Sequence, residues 1–301
     1  MTASTFPGHI HHPRLAWRGL LWTGAATLSW TLLIALFPAI SESGVPTATA
    51  RLMTYAVLGL GLWLALERTD RSPAQRRASW MAIMIAWTLW FALAWSAAIA
   101  GVFRMGASRL PALPMAIILP VVIGAPLLLA SRRVGALLDA TPPAWLVGLQ
   151  AYRVFGSVWL VGGLQGALPA LFGVPAGLGD ILTGVFAVPT AIALAEGTGW
   201  ARRGAIAWNL LGLADFVVAI TLGLITSPGP LQLIVPDVAS VGAGAYPGVL
   251  TPAFVVPSSI LLHALSLRQL YRQRRAAAAN AGAGTPASSR SIGGLDQETR
   301  A

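Results

Sequence analysis

The amino-acid sequence predicts an all-α polytopic membrane helix bundle of eight transmembrane helices. Three observations carry that reading. Of 301 residues, 56% are hydrophobic and only 10% are charged. The mean hydropathy of +0.70 is more apolar surface than one soluble core can hide. Every basic residue is an arginine, and nearly all fall between long apolar runs rather than inside them.

A helix crosses a hydrocarbon layer of about 30 Å with roughly 20 apolar residues. Eight segments approach that length, at about 17–40, 49–66, 80–103, 111–130, 145–171, 177–195, 204–226 and 249–268. The first follows His9, His11, His12, Arg14 and Arg18, a basic start that imitates a secretory signal. Its apolar run, "LLWTGAATLSWTLLIALFPAI", is longer than a signal core and has no small-x-small cleavage site, so it reads as a spanning helix. The second, "RLMTYAVLGLGLWLALE", is short and admits Arg51, which is expected to snorkel outward. The third and fourth are rich in Trp, Met, Leu and Ala.

Arginine placement gives the orientation. Sixteen of the twenty arginines flank one side of the spans, Arg51, Arg104 and Arg109 the other, and Arg153 lies inside the fifth. Both termini are then cytoplasmic, which requires an even number of helices. The net charge of +10 is therefore a topology signal and not a nucleic-acid footprint. The chain divides into a cytoplasmic segment (1–16), scaffold helices one to four (17–144), polar-seam helices five to eight (145–275) and a small, glycine-rich tail (276–301) expected to be disordered. The external loop 227–248 has no basic residue and is expected to lie on the outer face, with "LQLIV" at the interface.

Polar residues within the spans concentrate in the C-terminal half. At 100° per residue, Gln150, Arg153, Ser157 and Gln165 share one face of the fifth helix. Asp180, Thr183 and Thr190 share a face of the sixth, and Gly212, Asp215 and Thr226 one of the seventh. Depth decides which charges meet. Arg153 is expected about 12 Å, and Asp215 about 17 Å, from the cytoplasmic end of its helix, with Asp180 only about 5 Å from the outer boundary. An arginine at depth needs a partner, so an Arg153–Asp215 ion pair is predicted, with Asp180 out of reach and Gln165 near it in depth. His263 is expected close in depth to Asn209 and Gln150. These seven residues form the candidate charge relay, and interhelical fastening is the competing reading.

The tetrads "GLGD" (177–180) and "GLAD" (212–215) invite comparison with the inverted repeats of transporters. Pro252 and Pro257 disfavour a straight last helix. The sequence has no cysteine, which removes thiolate metal sites and iron-sulfur clusters, and one membrane histidine argues against bis-histidine haem. The short run "HIHH" is too weak to assign a metal, so neither cofactor nor metal is expected. No nucleophile-base set or phosphate loop is present, which makes an enzyme the less favoured class.

The runs "LQAYRVFGSVWLVGGLQGALPALFGVPAGLGDILTG" and "WNLLGLADFVVA" resemble a group of bacterial multi-pass inner-membrane proteins to which no activity is assigned. The resemblance covers roughly the C-terminal half. It implies that Gln150, Tyr152, Arg153, Pro169, Gly177, Asp180, Trp208, Asn209 and Asp215 belong to the group's pattern, and it implies no chemistry. The expectation is a proton-linked permease for a small solute in a bacterial cytoplasmic membrane, whose partners are the lipid bilayer and that solute or proton. The alternatives are a non-transporting accessory or assembly subunit and, third, an intramembrane enzyme acting on a lipid or quinone-like molecule.

Overall fold

The computed structural model describes residues 13–104, 111–229, 231–238 and 244–283. Among them the chain is all-helical, and eight stretches are long and apolar enough to cross a membrane. These are Arg14–Leu36, Val45–Glu67, Pro73–Ile99, Ala112–Ala130, Pro143–Leu164, Ala170–Glu196, Ala201–Thr226 and Thr251–Ala279. The protein is a polytopic membrane helix bundle. In chain order the helices are α1 (Pro13–Leu36), α2 (Pro38–Glu42), α3 (Val45–Glu67), α4 (Pro73–Ile99), α5 (Ala112–Ala130) and α6 (Arg132–Ala140). They continue as α7 (Pro143–Gly148), α8 (Ser157–Leu164), α9 (Ala170–Glu196), α10 (Ala201–Thr226) and α11 (Val256–Ala283).

Local sequence explains the ends. Ser72 and Gln75 form a capping box that opens α4, and Gly197, at φ 67°, terminates α9 in the left-handed conformation. The α5 span is the most apolar of the eight, yet little of it is buried within the bundle, so it turns its apolar surface to lipid.

Two spans are irregular. The fifth consists of α7, a 3₁₀ segment over Leu149–Gly156, and α8. The eighth opens with a π turn at Thr251–Val255 before α11. Pro257 has no N–H to return to the carbonyl of Ala253, which favours the wider turn there. Non-helical winding at membrane depth is tolerated only where protein covers it or a cavity adjoins it.

Helix α9 is the hub, packed by α1, α7, α8, α10 and the 3₁₀ segment. Its glycines allow this contact. A Cβ on Gly173 would stand 2.7 Å from the Trp159 carbonyl oxygen, one on Gly177 2.3 Å from the Leu160 nitrogen, and one on Gly184 2.6 Å from the Val154 nitrogen. The broken fifth span therefore lies backbone to backbone along α9, the close approach that small residues permit in membranes. Helix α1 packs on α9 as well, where the Thr23 hydroxyl donates to the Val185 carbonyl at 3.1 Å.

The arginine-rich end is strapped by α11. Arg268 donates to the carbonyls of Leu128 (2.9 Å) and Ser131 (3.0 Å), and Arg272 Nε donates to Asp139 Oδ1 (2.9 Å). The Arg272 guanidinium holds the Asp139 carboxyl below the usual carboxylate range. The sequence reading ended the last helix near residue 268 and assigned 276–301 to a disordered tail. Instead α11 continues through Ala276 to Ala283, since a run of alanines is the strongest helix former. Residues 284–301 and the histidines of "HIHH" lie outside the described residues. In the loop after α10, Leu233 N and Ile234 N both donate to the Ile225 carbonyl, while Leu233 and Val235 remain exposed.

Candidate functional site

The 3₁₀ segment carries Arg153 into the middle of the bundle, and three helices close around its guanidinium. Its Nε donates to Asp180 Oδ1 on α9 at 2.8 Å, and its Nη2 donates to Asp215 Oδ2 on α10. Its Nη1 reaches the Gly212 carbonyl at 3.3 Å and His263 Nε2 on α11 at 3.2 Å. The ring of Phe216 lies beneath the guanidinium, 3.9 Å from Cζ. Arg153 is 3% exposed, and each nitrogen of its fork faces an acceptor.

Hydrogen-bond roles settle the histidine tautomer. An arginine can only donate, so His263 Nε2 accepts and its proton sits on Nδ1. Nδ1 then donates to Asn209 Oδ1 at 2.9 Å. The Asn209 amide in turn donates to the Ala205 carbonyl (2.8 Å) and to Ser266 Oγ (3.0 Å). A continuous polar line thus runs from the acids through Arg153 and His263 to Asn209 and Ser266.

Glycines make room for the cluster. A Cβ on Gly179 would stand 1.6 Å from Asp215 Oδ1, one on Gly156 2.1 Å from Asp180 Oδ2, and one on Gly212 2.4 Å from His263 Nε2. In "GLGD" and "GLAD" the first glycines have unlike neighbours, Leu160 for Gly177 and His263 for Gly212. Both acids nevertheless converge on one arginine.

The structure brings together Arg153, Asp180, Asp215, His263 and Asn209. It forms the predicted Arg153–Asp215 pair but corrects the exclusion of Asp180. Two local features account for the error. Helix α9 begins at Ala170, seven residues before the expected start, which places Asp180 about 15 Å inside. The fifth span begins at Pro143, and its 3₁₀ segment rises about 2 Å per residue instead of 1.5 Å, which together lift Arg153 to about 17 Å from the start of its span.

Gln165 is elsewhere, at the end of α8, where its amide donates to the Ala35 carbonyl at 3.0 Å. Gln150 is fully buried, and its side-chain amide has no hydrogen-bond partner among the described residues. Arg51 is the residue the sequence reading misplaced: it is 3% exposed and does not snorkel. Helix α3 begins at Val45, so Arg51 is about 9 Å inside its span, within electrostatic reach of Asp180 and Tyr152. Its Nε has no partner, and no ion pair reaches it among the described residues.

A cavity of about 220 Å³ descends to this cluster from the end of the bundle that carries Arg104. Asp180 and Asp215 line its floor, Thr251 one side, and Phe103, Trp159, Phe172 and Phe216 are among its apolar walls. Both acids line it and Arg153, which holds them, does not. Among the described residues no three His, Asp or Glu side chains are grouped as metal ligands would be.

No curated protein and no solved structure matches the chain. A family model described as Domain of unknown function (DUF8737) matches residues 110–271, a stretch that contains α5 to α10, most of α11 and all of the ion cluster. That stretch is more than half of the chain, and the chain belongs to this family.

Proposed function

We propose that this protein is a proton-linked permease for a small solute, residing in a bacterial cytoplasmic membrane with both termini in the cytoplasm. The observation that carries the reading is one-sided access to a charge cluster. A cavity opens at the arginine-poor end and stops at Asp180 and Asp215. Beyond it, toward the arginine-rich end, a buried hydrogen-bonded line through His263, Asn209 and Ser266 continues, and the apolar cleft beside Ala151 and Tyr152 is not lined by the acids. A site reached from one face and closed to the other is one state of an alternating-access cycle.

The chemistry follows from the donor count. One oxygen of each acid accepts from Arg153, and the second, Asp180 Oδ2 or Asp215 Oδ1, accepts no hydrogen bond among the described residues. A proton arriving through the cavity has these oxygens as its acceptors. Protonation weakens the hold on Arg153, whose remaining acceptors are the Gly212 carbonyl and His263 Nε2. While Arg153 donates to Nε2, that nitrogen cannot take a proton; once Arg153 moves away, it can. The guanidinium thus links the state of the acids to the basicity of the next group in line. The broken fifth span and the π turn of the eighth are the irregular segments around which such a movement is easiest.

The test is proton movement in proteoliposomes holding a pH-sensitive dye and challenged with a panel of small amines, acids and sugars. Wild-type protein should move protons with at least one solute, and Asp180→Asn should abolish that movement while keeping its size-exclusion profile. Unchanged movement in the variant removes Asp180 from the mechanism. No movement with any solute favours the fastening reading, that of an accessory subunit. A reporter fused to the C-terminus checks the orientation; a periplasmic signal contradicts it.

A further inference from the structure

We infer that the cavity binds a small organic cation, an ammonium head carried on an apolar body. The head lies against Asp180 and Asp215, and the body fits between Phe103, Trp159, Phe172 and Phe216. As a statement about the transported solute this rests on the permease reading; as a statement about binding it stands alone.

The argument begins with the orientation of the ion cluster. A buried Arg–Asp group presents no net preference if its charges are mixed toward the ligand. Here they are separated, since Asp180 and Asp215 line the cavity while Arg153 does not and is held by the Gly212 carbonyl and His263. Arg153 therefore fixes the acids in place without lining the ligand side, and Arg51, also buried and within electrostatic reach of Asp180, does not line the cavity either. The oxygens without a donor among the described residues, Asp180 Oδ2 beside Gly156 and Asp215 Oδ1 beside Gly179, are acceptors, as suits an N–H donor of positive charge. Thr251 also lines the cavity, and its buried Oγ1 has no hydrogen-bond partner among the described residues.

The walls support the same ligand. Aromatic rings attract an ammonium through their electron-rich faces and an apolar body through contact. A volume of about 220 Å³ admits a molecule with a single ring. An anion would meet two carboxylates, and a neutral solute could donate a hydrogen bond but would bring no positive charge to strengthen it. Arg104 is exposed at the mouth, where water screens its charge.

Purified full-length protein in detergent, titrated calorimetrically with benzylammonium, benzyl alcohol and benzoate, tests the inference without any variant. Benzylammonium should bind at least about tenfold more tightly than the other two, the margin expected of a charge-assisted hydrogen bond in a water-poor site. Asp215→Asn should remove that margin. Ala219→Leu, which fills the cavity and leaves the acids untouched, should weaken all three probes and keeps the test open if the aspartate variant does not fold. Equal binding of benzyl alcohol, or tighter binding of benzoate, overturns the inference. Tight benzylammonium binding with no accompanying proton movement would sustain the ligand class and reject the permease.

Discussion

Two seams hold this bundle together, and they do so by opposite means. Between α3, α4 and the π turn, Phe254 is enclosed by rings, with centroids 4.5 Å to Phe91 and 5.5 Å to Trp87, and Tyr55 stacks on Phe91 at 4.9 Å. Between the 3₁₀ segment, α9, α10 and α11, the contact is a guanidinium shared by two carboxylates and an imidazole. Lipid tails are as apolar as the rings, so the aromatic seam gains from packing alone and each ring has substitutes nearby. The charged seam has none. Arg153 without its acids, or the acids without Arg153, is an uncompensated charge in a medium that cannot solvate it. A fastener needs no such exposure to failure, and the cavity leads to the charged seam rather than to the aromatic one.

The largest expected effect breaks this contrast at its centre. Arg153→Met leaves Asp180 and Asp215 unpaired and should lower stability by about 3–5 kcal/mol, read as a large fall in the unfolding midpoint in detergent. Phe254→Ala should cost less. A soluble core loses about 3–5 kcal/mol for such a truncation, but much of that is transfer from water, which is missing in lipid. Equal losses in the two variants would erase the distinction between the seams. Next, Gly212→Ala drives a Cβ to 2.4 Å from His263 and should cost about 1–3 kcal/mol, whereas Gly24→Ala, with nothing within 4 Å, should change stability by less than about 1 kcal/mol.

The smallest effect lies outside both seams, at Arg272–Asp139. Both side chains are more than 40% exposed, so the pair is worth under about 1 kcal/mol. Its sign is fixed by linkage. The Asp139 carboxyl is lowered in the folded protein, so its contribution is complete above the unfolded carboxylate value and is lost as pH falls through the lowered one. Wild-type and Asp139→Asn midpoints should differ slightly at pH 7 and converge in acid; a difference that grows in acid contradicts the pairing.

Much of the fold was legible because apolar length and arginine placement are properties of composition, and eight spans follow from them. The Arg153–Asp215 pair was legible because depth can be counted along a regular helix. What could not be counted was irregularity. Pro175 sits inside α9, although a proline beside Pro169 reads as a turn, so ten residues of helix before Asp180 were partly hidden. The 3₁₀ winding that lifts Arg153 has no sequence signal beyond glycines at either end. Arg51 was misread for a similar reason, since a span that opens on proline at Val45–Pro46 puts it more than a turn inside. Gln165 lies on the same idealised helical face as Arg153, but α8 ends before it. In each case the residue types were right and the assumed helix was too regular.

One experiment separates function from fastening most directly. In the triple variant Arg153→Met, Asp180→Asn, Asp215→Asn the three charges of the cluster are removed together, Arg51 being the one buried charge left within reach of the site among the described residues, and stability should recover much of what Arg153→Met alone loses. Reconstituted in proteoliposomes, it should be folded and move no protons in response to any solute that drives the wild-type protein. A folded triple variant that still moves protons at the wild-type rate would contradict the central claim that this cluster is the transport site.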